Sequence, residues 1–324
     1  MAKNKVGDFL GHSPSNYDFS DPGVELVDKP GYPKEVVIDK RFRVWYGLGV
    51  EELRTSANYT PEADDLLICS FPRSGLTWNK QMLFSLLHPH EELEDRVRHT
   101  ETTAIHDVFP CPDVIGGAEA QKHARPCVFH HHNHPDMMPM SDACKYLWLV
   151  RNPKDVCVSY YKQTQNSRLS NFQDGKFETV VELFLEGKTA FCSWWEHTKA
   201  CLQLARQMNN WLAVKYEDVK RDRRAHLIRM ANFIGGVAKQ TASNPELLEK
   251  AYQKSAFEVM QTKQRLYSSD HTWVDGRNQM IRKGKVGNWR DFFTEEQSDR
   301  FDVVFRRHFE GTEIENWWSE EMQW

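Results

Sequence analysis

The sequence predicts an α/β fold, a single domain with a central parallel sheet flanked by helices and a P-loop-like anion-binding loop. Short apolar runs of strand length alternate along the chain with segments whose apolar residues recur at helical spacing, which is typical of a doubly wound sheet. The first clear run leads through a glycine-containing loop directly into a helix. The chain has 324 residues, 40% of them hydrophobic, which is enough to bury the core of such a domain.

The amino-terminal part differs in composition from the rest. Residues 1–35 are rich in Gly, Pro, Asp and Ser and show little periodicity. We expect them to wrap the surface of a domain formed by residues 36–324.

Residues 65–87 form the first strong unit. An apolar run predicts a strand at 65–69, and the sequence S-F-P-R-S-G-L-T-W at 70–78 predicts a tight loop that enters a helix. Such a junction directs free backbone N–H groups and the positive end of the helix dipole at one place, where a phosphate or similar anion can bind. The loop lacks the first glycine and the lysine of the common G-x-x-x-x-G-K-[ST] motif.

Side chains of this loop suit an anion as well. Gly75 lets the backbone approach a ligand closely, and Ser74 and Thr77 supply hydroxyl donors. Arg73 supplies a fixed positive charge.

Further strands and helices follow in alternation. Residues 88–125 predict a polar loop with one short helix, which would form a pocket wall or lid. Strands are predicted at 126–129, 145–150 and 211–216. Helices are predicted from Pro153 onward, at 177–187, at 190–208, from 217 to about 234, at 245–261 and at 294–309.

Four polar or aromatic stretches lie at or directly after the carboxyl ends of predicted strands: residues 70–78, residues 130–132, Arg151 and Tyr216. Ligands of parallel α/β sheets bind beyond the carboxyl ends of the strands, so we expect these stretches to share one site. Arg151 and the basic loop at 282–284, together with the loop that carries Arg73, provide cations for two separate phosphate-like groups.

Aromatic residues near these loops are Trp78, Tyr216 and Phe257. They suit stacking on a purine, although an aromatic side chain is more often part of the core. Only their clustering with the cations favours the interpretation that they stack on a ligand.

Residues 130–134 read His-His-His-Asn-His. A histidine-rich tract can bind metal, but consecutive residues of a strand point to opposite faces and further ligands are not evident. A histidine at a strand end beside an anion site is better interpreted as a general base.

Composition excludes several classes of protein. The net charge of −4 gives no global basic field, so nucleic acid is not a predicted partner. No stretch approaches the ~18 apolar residues of a membrane span, and the first residues lack the apolar core of a signal peptide. The seven cysteines are scattered without a C-x-x-C pair, which favours reduced thiols in a cytoplasmic protein.

These motifs in combination resemble the cytosolic sulfotransferases, which use 3′-phosphoadenosine 5′-phosphosulfate (PAPS) and release 3′,5′-adenosine bisphosphate (PAP). The resemblance extends over about residues 60–310. Residues 70–78 are similar to the family's 5′-phosphosulfate loop, T-Y-P-K-S-G-T-T-W, and residues 149–161 to its 3′-phosphate motif. Residues 214–218, 255–257 and 281–289 resemble its two adenine segments and its R-K-G-x-x-G-D-W loop.

The resemblance implies roles for particular residues. It makes His132 the general base, and it gives Arg73 and Ser159 catalytic roles, without a requirement for metal. The residues implied to bind PAPS are Arg73, Ser74, Gly75, Leu76, Thr77, Trp78, Arg151, Ser159, Tyr216, Ser255, Phe257, Arg282, Lys283 and Gly284.

Three departures from the family pattern matter. Arg73 replaces the loop lysine, and an arginine cannot readily donate a proton. The K-T-H catalytic segment becomes the three consecutive histidines that begin at His130, so His131 and His134 remain alternatives to His132 as the base. In the dimer motif, K-x-x-x-T-V-x-x-x-E, only Thr294 is kept, which weakens but does not exclude a homodimer.

The implied reaction is sulfonate transfer from PAPS to a hydroxyl or amine of a small acceptor, and analogy with the family implies a phenolic, catechol or steroid-like one. Phe19, Phe109, Phe172 and Tyr267 are candidates for the wall of its pocket. Two other functions stay open at this point: a non-catalytic or weakly active PAPS- or PAP-binding protein, and a P-loop nucleotide kinase. The kinase would need a loop lysine and an acidic magnesium ligand, and neither is evident.

Overall fold

This computed structural model describes residues 17–96, 104–268, 273–274, 277 and 280–324. The first three strands of the described residues form a small antiparallel sheet. Its strands β1 (Val24–Val27), β2 (Glu35–Ile38) and β3 (Phe42–Trp45) pair in chain order. The sequence analysis did not predict this sheet, because strands of 4 residues are too short to show a clear period. The predicted boundary between residues 35 and 36 falls inside β2.

A buried carboxylate connects this sheet to the rest of the protein. Glu35 of β2 is almost fully buried and accepts a hydrogen bond from the hydroxyl of Tyr160 at 2.7 Å. It also forms an ion pair with Arg43 of β3 at 3.1 Å. Burial raises the pKa of Glu35 to about 7 in spite of these partners.

The main sheet has four parallel strands in the order β5-β4-β6-β7. They are β4 (Leu66–Ser70), β5 (Val128–His131), β6 (Lys145–Val150) and β7 (Trp211–Lys215). The chain moves from β4 to one side for β5 and then to the other side for β6 and β7. The strand order therefore changes direction between β4 and β6. Ligands of such sheets bind at the carboxyl ends of the strands at this position.

Helices cover both faces of this sheet. They are α1 (Val50–Arg54), α2 (Leu76–Leu87), α3 (Ala104–Val108), α4 (Pro112–Ile115), α5 (Gly117–Ala120), α6 (Pro153–Asn166), α7 (Phe177–Leu185), α8 (Trp194–Gln207), α9 (Tyr216–Arg221), α10 (Arg223–Ile234), α11 (Gly236–Ser243), α12 (Pro245–Lys254), α13 (Phe257–Thr262) and α14 (Glu295–Phe309). The predicted single domain with a central parallel sheet flanked by helices is confirmed.

Two separate cores lie on the two faces of the sheet. In β4, Leu67 and Cys69 belong to one core, whereas Leu66 and Ile68 belong to the other. This alternation follows from the two-residue period of a strand. Because both faces are buried, all residues of β4 are apolar or small, as a central parallel strand requires.

Three predicted helices differ in their bounds. The segment 245–261 is not one helix, because the hydroxyl of Ser255 bonds to the carbonyl oxygens of Ala251 and Tyr252 and α12 ends there. The charged helix that follows β7 is divided by Asp222, which caps α10. The helix predicted at 190–208 begins only at Trp194, with Ser193 as its cap.

No helix in the described ranges is both long enough and apolar enough to cross a membrane.

Candidate active site

A cavity of about 670 Å³ opens at the edge where the four parallel strands end. Residues that follow each strand line it, including Arg73 after β4, His132 after β5, Arg151 after β6 and Tyr216 after β7. The structure thus brings these four residues, which the sequence analysis had grouped, to one cavity.

The loop between β4 and α2 has an unusual backbone. Gly75, which caps α2, has a φ of 96°, a conformation that favours glycine. A Cβ atom on Gly75 would also lie only 2.8 Å from Cδ2 of Tyr216. The loop and the aromatic ring after β7 thus pack directly against each other.

Arg73 adopts the left-handed region too, with a φ of 72°. This conformation costs a non-glycine residue about 1 kcal/mol, so the surrounding contacts must hold it. Its Nε donates to Oγ of Ser159 at 3.0 Å, and its Nη1 lies 3.1 Å from Sδ of Met280. Burial and the nearby charges of Arg151 and Arg282 lower the pKa of Arg73 to about 10, which leaves it charged at neutral pH.

Arg151 connects three parts of the site. Its Nη1 donates to the carbonyl of Arg73 at 3.4 Å, and its Nη2 donates to the carbonyl of Lys285 at 3.2 Å. Its guanidinium lies over the ring of Tyr216, with 4.2 Å from Cζ to the ring centroid. The ion pair with Asp155 is long, at 3.8 Å.

Asp155 instead holds the basic loop that carries Arg282, Lys283 and Gly284. Its carboxylate accepts hydrogen bonds from the backbone N–H groups of Gly287 at 2.8 Å and Trp289 at 3.0 Å. Gly284 has a φ of 57°, and a Cβ there would lie 2.6 Å from the ring of Phe257. The loop is thus fixed against α6 and against the start of α13.

The three predicted stacking residues all line the cavity. The rings of Trp78 and Tyr216 meet at 5.6 Å, and Nζ of Lys220 lies 5.5 Å from the ring of Trp78 and 5.9 Å from that of Phe257. Ser255 is placed differently from the expectation. It is fully buried behind the cavity wall, and its carbonyl accepts a hydrogen bond from Nε1 of Trp78 at 2.9 Å.

We call the charged and aromatic residues around this loop the cationic cluster. Its members are Arg73, Trp78, Arg151, Ser159, Tyr216, Phe257, Arg282, Lys283 and Gly284, all of which line the cavity together with Leu76 and Thr77.

Four buried polar atoms of this region lack a hydrogen-bond partner among the described residues: Oγ of Ser74, Nε of Arg151, Oε1 of Gln163 and Nδ2 of Asn288. Buried polar atoms of this kind are uncommon in native proteins, and a bound ligand is one way to satisfy them. Mutually repelling arginines, unsatisfied donors and aromatic rings together fit a ligand with two anionic groups and a flat ring system. This is the chemical constitution of PAPS and PAP.

His132 lies at the end of β5 and lines the same cavity. Its Nδ1 is 2.7 Å from the carbonyl oxygen of Ser70, so the N–H is on Nδ1 and the lone pair is on Nε2. In the described part of the chain, Nε2 has no hydrogen-bond partner. Burial lowers the pKa of His132 to about 4, which keeps the ring neutral at physiological pH.

The two alternative histidines have different surroundings. His131 is fully buried, with Nδ1 2.8 Å from Asp113 and Nε2 2.9 Å from the hydroxyl of Tyr59, so both ring nitrogens are engaged. His134 pairs with Asp136 at 2.7 Å and is 30% exposed. Neither lines the cavity.

Sequence reasoning missed part of the wall around His132. Lys80, His106 and His130 also line the cavity, and Nζ of Lys80 is 3.3 Å from Nε2 of His130. The ring of His130 lies 5.9 Å from that of His106 and 5.8 Å from that of His132. We call Lys80, His106, His130 and His132 the histidine cluster.

A sequence signal for Lys80 did exist. In the predicted helix, Lys80 stands at helical spacing between Leu76 and Leu83, on a face that carries apolar residues. A lysine on such a face indicates either an ion pair or a functional site.

Of the four aromatic residues proposed for the pocket wall, only Tyr267 lines the cavity. Phe109 and Phe172 are buried in the cores, and Phe19 is 44% exposed. Trp45 and Phe191 take their place, with rings 6.2 Å and 5.3 Å from that of His132.

One group of residues in the described ranges is close enough to hold a metal ion. Cys69, His197 and Cys201 have ligand atoms within 4.8 Å of one another. The group is buried and does not line the cavity.

Comparison with known proteins agrees with this geometry. Residues 63–313 match the family model described as the sulfotransferase domain. Human sulfotransferase 1C2 is 30% identical over 270 residues, which cover 79% of this chain and 87% of that protein. The flavonol 3-sulfotransferase of Flaveria bidentis is 28% identical over 254 residues, covering 74% of this chain and 80% of that protein.

Solved structures show the same fold. Mouse sulfotransferase SULT7A1 complexed with PAP matches with a TM-score of 0.66 at 23% identity, covering 83% of this chain and 93% of that one. Retinol dehydratase in complex with androsterone and PAP matches with a TM-score of 0.65 at 20% identity, covering 95% of this chain and 92% of that one.

Proposed function

The chain belongs to the sulfotransferase domain family, and we propose that it transfers a sulfonate group from PAPS to the hydroxyl of a small acceptor, with His132 as general base. The observation that carries this proposal is that one cavity contains both the cationic cluster and His132. The cationic cluster suits a ligand with two anionic groups and a purine, and His132 stands beside it as a neutral base.

PAPS, when bound, supplies the sulfonate group that is transferred. We assign its 5′-phosphosulfate to the loop of residues 73–78, where Arg73, Ser74 and the backbone N–H groups at the start of α2 are donors. Arg151 and Ser159 would hold the 3′-phosphate, with Arg282, Lys283 and Gly284 over it.

The adenine ring would lie among Trp78, Tyr216 and Phe257. Ser255 contributes to this subsite by holding the indole of Trp78 through its carbonyl. It acts through the tryptophan and not by its own contact with the cofactor.

His132 accepts the proton of the acceptor hydroxyl on Nε2. The carbonyl of Ser70 fixes the tautomer, because it accepts a hydrogen bond from the Nδ1–H group of His132. Arg73 and the loop N–H groups stabilise the negative charge that develops on the leaving phosphate, which is the main contribution a protein makes in transfers of this type. Because Arg73 stays charged, it acts as an electrostatic group and not as a proton donor.

The acceptor would lie against Trp45 and Phe191, whose rings are beside that of His132, and against Tyr267, which also lines the cavity. This lining suits a flat or fused-ring acceptor of the phenolic, catechol or steroid class.

The direct test has two parts, binding and transfer. Thermal shift with PAP, compared with ATP plus magnesium, measures which nucleotide stabilises the fold. We expect clear stabilisation by PAP and little by ATP. Sulfonation of a panel containing 2-naphthol, dopamine and a hydroxysteroid, with sulfur-labelled PAPS, then measures transfer and ranks the acceptors.

Stabilisation by ATP plus magnesium without an effect of PAP would contradict the proposal and favour a kinase. Tight PAP binding without transfer to any acceptor would also contradict it and would indicate a protein that binds PAP without catalysis.

A further inference from the structure

Lys80 is a buried cation without a buried anion beside it. It lies on α2, is 1% exposed and lines the cavity. In the described ranges no carboxylate forms an ion pair with it. A buried lysine is rarely found without such a partner, because removing an ammonium from water is costly.

His130 holds the ammonium in place. Its Nδ1 is 3.1 Å from the carbonyl of Phe109, so the ring N–H is on Nδ1 and Nε2 is an acceptor. Nε2 accepts from Nζ of Lys80 at 3.3 Å. This occupies one of the three donors of the ammonium, and no second acceptor for Nζ lies in the described part of the chain.

The position of Lys80 places its charge next to the general base. The rings of His130 and His132 are 5.8 Å apart, and the charge of Lys80 contributes to lowering the pKa of His132. Helix α2 thus brings this lysine to the side chain of His130.

We propose that Lys80 contacts the acceptor oxygen and stabilises the negative charge that develops on it, which makes phenols the acceptor class of this site. A phenol oxygen carries negative charge far more readily than an aliphatic alcohol does. Trp45 and Phe191 beside His132 suit the attached aromatic ring. This inference rests on the proposed sulfotransferase function and names the acceptor for the same cavity.

The step is balanced without a further reactant. The acceptor O–H proton passes to Nε2 of His132, the oxygen lone pair forms the new O–S bond, and the electron pair of the broken S–O bond leaves on PAP. Lys80 keeps its proton throughout. Burial lowers the pKa of Lys80 to about 7, and a developing phenolate beside it favours the charged form again.

A series of phenols from 4-methoxyphenol to 4-nitrophenol tests this role, because the acidity of the hydroxyl varies across the series while the size of the molecule changes little. We compare kcat/KM at saturating PAPS for the wild type, Lys80→Met and Lys80→Arg. Lys239→Met is the matched control, since Lys239 is exposed on α11 and does not line the cavity. The affinity for PAP is measured in parallel by calorimetry.

For Lys80→Met we expect kcat/KM to fall about 100-fold with 4-methoxyphenol, as for loss of one oxyanion donor. The loss should shrink to about tenfold or less with 4-nitrophenol, whose oxygen needs less stabilisation. Lys80→Arg should recover most of the rate because it keeps the charge, and PAP affinity should be unchanged in all variants.

An equal loss with every phenol would overturn the inference, because a merely structural lysine affects all acceptors alike. A loss of PAP affinity would overturn it too, since Lys80 would then act on the donor. If Lys80→Met does not fold, Lys80→Gln provides the same comparison.

The wild type separates this inference from the proposed function. A wild type that binds PAP and sulfonates aliphatic alcohols but no phenol refutes this inference alone. A wild type that is inactive with all acceptors refutes the proposed function as well.

Discussion

The cationic cluster and the histidine cluster meet in one cavity but are built differently. Most residues of the first follow strands β4, β6 and β7 within short stretches of sequence, and the rest belong to the start of α13 and to the basic loop at 282–284. Glycines with positive φ shape the backbone of both loops. The second combines α2, α3 and β5, and its contacts depend on side chains. Motifs in the sequence therefore point to the site of the donor, whereas the chemistry at the acceptor depends on how helices pack on the sheet.

Charge distinguishes the two clusters as well. In the first, burial and the nearby charge of Arg151 lower the pKa of both Arg73 and Arg282, so an anionic ligand relieves the repulsion among the three arginines. In the second, burial keeps His106, His130 and His132 neutral, and Lys80 is the cation among them. Binding of the donor and activation of the acceptor should thus respond to different substitutions.

The largest expected effect belongs to the histidine cluster. We expect His132→Ala to lower kcat about 1000-fold, because it removes the proposed general base, while the Kd for PAP changes by less than about twofold. Steady-state sulfonation and calorimetry measure the two quantities. His134→Ala is the control, since its side chain is outside the cavity; if that variant were the inactive one, the assignment of the base would be wrong.

The pH dependence of kcat/KM tests the same assignment of His132 as the base. Because burial lowers the pKa of His132 to about 4, protonation removes the base only in acid. We expect kcat/KM to stay level from about pH 7 down to about pH 5 and to fall about tenfold per pH unit below the pKa. PAP affinity at each pH separates this from unfolding. A decline that begins near pH 6.5 would point to an ordinary, exposed histidine instead.

The next effect belongs to the cationic cluster. Arg151→Ala should raise the Kd for PAP about 100-fold, because it removes charge-assisted hydrogen bonds to a phosphate. The kcat at saturating PAPS should change much less. Arg206→Ala, which breaks an exposed pair with Glu313, is the control for loss of a surface arginine. Unchanged PAP binding in Arg151→Ala would place the phosphate elsewhere.

The smallest effect is expected at the loop residue that departs from the family pattern. Arg73→Lys should keep kcat within about threefold of the wild type or raise it, because a lysine retains the charge and can also release a proton. Single-turnover kinetics measures the chemical step directly. A collapse of activity would show that the guanidinium contacts to Ser159 and Met280 are essential for the geometry of the loop.

Much of the fold was predictable because it depends on local sequence patterns. The central strands, the loop before α2 and the alternation of strands with helices follow from apolar periodicity and turn residues. The small sheet β1–β3 and the break before α13 were not predictable in this way. The first has strands too short for a period, and the second depends on a side-chain bond of Ser255 to its own helix.

By itself, the sequence determined the family, the parallel sheet and the strand ends at which the site would form, since these depend on neighbouring residues and on the shared direction of parallel strands. Only the tertiary structure decided that His132, and not His131 or His134, lines the cavity, that Ser255 lies behind Trp78, and that Lys80 contacts His130. Such contacts join side chains 50 residues apart in the case of Lys80 and His130, and 86 apart in the case of Arg73 and Ser159. No local pattern encodes them, because burial, tautomer and charge depend on everything that packs around each group.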